Sequence, residues 1–75
     1  MFQRYNFNAI FGINPANGDI YPLYNMIVNG QYFERLVSIK RGIYFGGINI
    51  YEYAGRDFGG YWNQQTQILT LTTVY

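Results

Sequence analysis

From residue 18 to residue 53 the chain divides into six-residue units whose fourth positions are all large and apolar: Tyr21, Ile27, Phe33, Ile39, Phe45 and Tyr51. The first positions alternate between Gly18, Gly30, Gly42 and the bulky Tyr24, Leu36, Ile48. Side chains alternate faces every two residues along a strand and return to one face about every 3.6 residues along a helix. An even spacing therefore fits strands and not helices. The pattern predicts a mainly β chain in which the fourth-position residues face inward.

The flanking sequence agrees with that class. Residues 5–13 alternate, with Tyr5, Phe7, Ala9, Phe11 and Ile13 on one side and Arg4, Asn6 and Asn8 on the other, which predicts a half-buried strand. Pro15 and Asn17-Gly18 predict a reversal. Pro22 has no amide to donate, so the next strand begins at an edge or bulge and is better paired over residues 24–28. Asn29-Gly30, set between two apolar runs, predicts a tight hairpin with a type I′ turn. Residues 36–40 read as a further strand closed by Arg41-Gly42, and residues 43–45 open another.

Over residues 50–54 two readings compete. Asn49 followed by Glu52, with Gly55 beyond, has the form of a capping box and a left-handed C-terminal residue around one helical turn. Ile48, Ile50, Tyr51 and Tyr53 favour a strand instead. Residues 57–62 and 67–75 form a final hairpin, with Leu69, Leu71 and Tyr75 on one face and Ile68, Thr70, Thr72 and Val74 on the other. Residues 58–75 carry no charge, so this last strand belongs inside the sheet or against a second copy.

The fold expected is a single domain over residues 1–75: a small twisted antiparallel sheet or a barrel-like meander of short strands, with one helical turn near residues 50–54. The alternative is a miniature β-solenoid with a six- or twelve-residue period, since Gly18, Gly30, Gly42 and Gly55 are each followed three residues later by an aromatic. Hexapeptide solenoids place a small residue two positions after the aliphatic one. That column here is Leu23, Asn29, Arg35, Arg41, Gly47 and Tyr53, which does not fit.

A chain of 75 residues buries only about 60% of the surface its unfolded form exposes, so its core is small. It has no cysteine and no histidine, which removes disulfides, the usual zinc ligands, the thiol nucleophile and the base of a serine triad. Ser38, the one serine, has no base to activate it. The four carboxylates, Asp19, Glu34, Glu52 and Asp57, each have a turn, a cap or a neighbouring arginine to explain them, and no phosphate-cradling glycine motif is present. These absences predict a protein that is not an enzyme and holds no metal or cofactor.

Two features point to binding. Nine tyrosines, six phenylalanines and one tryptophan exceed what a small core absorbs, leaving Tyr32, Tyr44, Tyr53, Tyr61 and Trp62 for the surface. Exposed tyrosine and tryptophan anchor protein interfaces or stack on nucleobases. Arg35, Lys40 and Arg41 are the nearby cations, but a net charge of +1 and a pI near 8.0 fall short of the value above about 9 typical of nucleic-acid domains. The expectation is a non-enzymatic, self-associating interaction module that meets a protein partner through Tyr32, Arg35, Lys40, Arg41, Tyr44, Tyr61 and Trp62. The alternative is a small barrel that binds single-stranded nucleic acid. With no signal peptide or membrane span legible, a cytoplasmic location is expected.

Overall fold

The structure is a computed structural model that describes residues 1–44 and 46–75; Phe45, one of the six fourth-position residues, lies outside the described residues. Among them the elements run β1 (Phe2–Tyr5), α1 (Phe7–Ile10), β2 (Phe11–Ile13), β3 (Ile20–Pro22), β4 (Asn25–Val28), β5 (Gln31–Phe33), a 3-10 turn (Ile50–Tyr53), β6 (Phe58–Asn63) and β7 (Ile68–Val74). Five strands form one sheet in the order β1-β6-β7-β4-β5, and β2 pairs with β3 in a second, two-stranded sheet. All neighbours are antiparallel except β4 and β7, which run parallel.

The protein is therefore mainly β, as the sequence predicts, with a mixed rather than purely antiparallel sheet. The sheet ends at β1 and β5 and does not close into a barrel. Nor is it a solenoid, because strands far apart in sequence lie side by side. No helix among the described residues is long and apolar enough to cross a membrane.

The core lies between the inner face of the large sheet and the segments that cover it. The sheet contributes Met26, Val28, Phe58, Leu69 and Leu71; α1 and the small sheet contribute Phe7, Ile10, Phe11 and Ile20; Ile39 and Ile50 complete the cluster. At its centre Phe7 stacks on Phe11 at 5.0 Å between ring centroids, and Phe11 meets Phe58 edge-on at 5.4 Å. The Tyr51 hydroxyl accepts from the amide of Ile20 at 3.1 Å and donates to the carbonyl of Ile39. It thereby ties the 3-10 turn to the bridge in which Ile39 donates to the Ile20 carbonyl at 2.7 Å.

The expected strand over residues 5–13 is instead β1, one helical turn and β2. The Asn6 side chain caps the turn by accepting from the amide of Asn8 at 3.0 Å. Phe7, Ile10 and Phe11 are buried while Ala9 and Ile13 are exposed. That spacing of three and four residues is helical, and it buries three large side chains where alternation would bury Ala9.

The six-residue ladder also misplaces part of the inward face. Met26 and Val28 are buried in β4, and Ile20 and Pro22 in β3, leaving Ile27 and Tyr21 half-buried on the opposite parity. Ile39 is fully buried, and Phe33 and Tyr51, half-buried, pack against the core, so the ladder holds at these three described positions and fails at Tyr21 and Ile27. A shift of one residue exchanges the faces of a strand. Residues 36–40 form no strand: Leu36 takes a left-handed φ of 66°, and only Ile39 makes a β-bridge, to Ile20.

Local turn signals are realised. Asn29 and Gly30 have φ of 50° and 82°, the type I′ geometry, and join β4 to β5. Asn49 caps the 3-10 turn, accepting from Tyr51 at 3.2 Å rather than from Glu52, and Gly55 follows with φ 84°. The last hairpin forms, and its uncharged strand β7 lies inside the sheet with β6 on one side and β4 on the other. A bulge between Gly59 and Gly60 shifts the register, so that Val74, opposite Phe58, packs on the core after Leu69 and Leu71. Tyr75 is exposed, contrary to the simple alternation.

Gly60 marks where β6 and β7 come closest at this bulge. A Cβ there stands 2.1 Å from the Thr70 carbonyl oxygen, whereas at Gly59 it meets the ring end of the exposed Phe2 at 2.4 Å. Backbone cannot yield as a surface ring can. Gly60→Ala should therefore lower stability by about 3 kcal/mol and Gly59→Ala by less than about 1 kcal/mol, measured by urea unfolding.

Candidate functional site

Register across the large sheet brings five residues into one row on its outer face. Phe2 lies opposite Tyr61, Tyr61 opposite Thr70, Thr70 beside Ile27, and Ile27 opposite Tyr32. Their neighbours by one residue, Leu71, Val28, Leu69 and Met26, are buried on the inner face. Phe2, Tyr61 and Tyr32 are 42%, 46% and 52% exposed, and Thr70 and Ile27 are half-buried. Adjacent strands lie about 4.8 Å apart, so the row spans about 19 Å.

Glycine shapes one end of this row. Gly59 has no side chain, and the Phe2 ring lies over it and meets Tyr61 edge-on at 5.4 Å. At the same end Arg4 pairs through Nε with Asp57 at 2.8 Å and lies over the Tyr75 ring at 4.0 Å. None of the five row residues is charged.

The inner face carries a different aromatic feature at its rim. Trp62 shares that face with Leu69, Met26 and Phe33. It meets Tyr24 edge-on at 5.3 Å. This pair borders two depressions, one of about 420 Å³ lined by Gln3, Tyr5, Ala9, Ile10 and Leu69 and one of about 240 Å³ lined by Asn25, Arg35 and Gln67.

The residues expected to form one surface are thus distributed over several. Tyr32 and Tyr61 share the outer row, and Trp62 and Arg35 share a depression on the other side. Lys40 pairs with Asp19 at 2.8 Å, and Arg41 lies over the Tyr51 ring at 4.3 Å, beside β3 and the 3-10 turn. Tyr44 is 60% exposed and borders neither feature. Tyr53, also expected at the surface, is half-buried against the core, with Arg56 over its ring at 5.2 Å. Phe2, Ile27, Thr70 and Tyr24 belong to these features without being expected from the sequence to bind a partner. Only strand register identifies the first three.

Among the described residues no group of three or more acidic side chains is placed to hold a metal ion. Asp19 is mostly buried, and its hydrogen bond and charge raise the pKa of Lys40 above the ordinary 10.5. A raised pKa in the folded state means that this contact stabilises the fold fully below the ordinary lysine value and is lost as pH climbs through the raised one. NMR titration of the Lys40 side chain should give a midpoint above 10.5, returning toward it in Asp19→Asn.

Comparison of the chain with protein-family models, with curated proteins and with solved structures finds no match.

Proposed function

We propose that the protein is a non-enzymatic interaction module that associates with a second copy of itself through the outer face of its five-stranded sheet. The observation that carries this reading is the uncharged row of Phe2, Tyr61, Thr70, Ile27 and Tyr32, which crosses every strand of the sheet with its three aromatic members exposed. A two-fold interface brings one patch against its own copy, so a charged patch meets like charge and an uncharged one does not. Tyrosine and phenylalanine supply large, rigid contact area at low entropic cost.

Size limits the strength of the contact. A row about 19 Å long on strands that present about 13 Å gives a footprint of roughly 250 Å². Stable interfaces bury about 800 Å² on each partner. The monomer is also well compacted: its accessible surface of 4689 Å² matches the roughly 4,800 Å² of a folded 8.8 kDa chain. Association is accordingly weak and reversible, between protomers that fold alone.

The nucleic-acid reading has less support. A bound strand needs a groove of cations beside its stacking rings, whereas Lys40 and Arg41 are engaged with Asp19 and Tyr51, away from Tyr32 and Tyr61, and Arg35 is a single cation beside Tyr24 and Trp62. Arg4, which does border the row, is paired with Asp57.

Sedimentation equilibrium from micromolar to millimolar concentration tests the proposal. The native chain should show a monomer–dimer equilibrium. Tyr61→Arg should weaken it at least about tenfold by setting like charges across the two-fold, while Glu52→Arg, at an exposed position of the 3-10 turn, should not. A monomer throughout, or equal dissociation constants for native protein and Tyr61→Arg, overturns it.

A further inference from the structure

We infer that the two depressions that share Tyr24 and Trp62 bind small planar aromatic acids, the ring against the aromatic pair and the acid group on the Arg35 guanidinium in the smaller one. This site is on the opposite side of the sheet from the proposed dimer row and does not depend on it.

Three observations converge. Tyr24 and Trp62 border two depressions: the one that Arg35 also lines is about 240 Å³, a little under the range of about 300–1,000 Å³ typical of small-molecule clefts, and the one of about 420 Å³ falls within it. The larger one is lined mainly by apolar groups, Ile10 and Leu69 among them, and Trp62 meets Tyr24 edge-on at 5.3 Å. A flat ring inserted there gains aromatic contact and leaves bulk water.

Charge then selects the ligand. Among the described residues Arg4, Arg41 and Arg56 each lie over a tyrosine ring, and Arg4 is also ion-paired. Arg35 has neither contact, and it lines the second depression bordered by the same Tyr24 and Trp62. No residue lining either depression is acidic. Glu34, its neighbour in sequence, lines a separate hollow with Tyr32 and Val37. A guanidinium offers a planar fork of donors matched to a carboxylate or phosphate.

The backbone that carries Arg35 is fixed on both sides. Its amide donates to the Asn25 side-chain oxygen at 2.9 Å. The next amide, of Leu36, donates to the Pro22 carbonyl at 2.8 Å, with Leu36 held at φ 66°. Gln67, also at a left-handed φ of 57°, lines the same depression as Arg35. The backbone that carries the cation is thus anchored beside the aromatic pair, so binding need order only the side chain.

The test uses Trp62, the one tryptophan, as its reporter, with calorimetry in parallel. The probes are 2-naphthoate and its uncharged analogue 2-naphthamide, with AMP and adenosine as the phosphate counterparts. Naphthoate, AMP or both should bind at least about tenfold tighter than the uncharged member of the pair, shift the Trp62 signal, and lose the advantage in Arg35→Gln. Preference within only one pair supports the site and identifies the acid as carboxylate or phosphate. In the unmodified protein the preference should shrink with added salt, which keeps the test decisive where a variant folds poorly. Equal binding of acid and neutral probes in both pairs, a preference unchanged in a folded Arg35→Gln, or no response of Trp62 at millimolar probe overturns the inference.

Discussion

The parallel pairing of β7 with β4 is the contact on which the rest of this structure depends. Hairpins β4–β5 and β6–β7 are each short, and an isolated two-stranded hairpin is marginal in water. Joined through Asn25 to Val28 against Ile68 to Leu71, they become one sheet to which β1 adds a fifth strand. The same contact covers the uncharged strand β7 on both edges, so a sequence prone to pair with other chains is paired within its own.

That pairing also gives the sheet two unlike faces. Met26, Val28, Leu69 and Leu71 turn inward onto Phe7, Ile10 and Phe11, leaving Ile27, Thr70, Tyr61 and Tyr32 on the other side. The bulge at Gly59 and Gly60 re-phases β7 so that Val74 also turns inward, and the bare backbone at Gly59 lets Phe2 extend the outer row. Surplus aromatic residues are therefore sorted by register into a row on one face and a rim pair, Tyr24 and Trp62, on the other. The row suits a contact with protein, and the rim cleft, with Arg35 beside it, suits a small acid.

What was legible in the sequence was what short-range chemistry decides. Asn29-Gly30 specifies its turn because both residues tolerate positive φ, and Asn49 with Gly55 marks a helical turn because a cap and a left-handed residue act locally. The split of residues 5–13 was hidden because Phe7 and Phe11 satisfy both an alternating and a helical spacing; Asn6 as a cap and the burial of Ile10 decide between them. The six-residue period was misleading because tight turns restart the alternation, so fourth positions fall on opposite faces of different elements. The parallel contact between β4 and β7 joins distant segments and leaves no local signal. Without it, the outer row cannot be assembled from Phe2, Ile27 and Thr70, and Lys40 and Arg41 look like neighbours of Tyr32 rather than partners of Asp19 and Tyr51.

Because the candidate surfaces all follow from this register, the most direct test is to observe it in solution. Nuclear Overhauser measurements on labelled protein should show backbone contacts between Met26 and Leu69 and between Val28 and Leu71 in the pattern of parallel strands. An antiparallel pattern between these two segments, or no contact between them in the folded protein, would contradict the account.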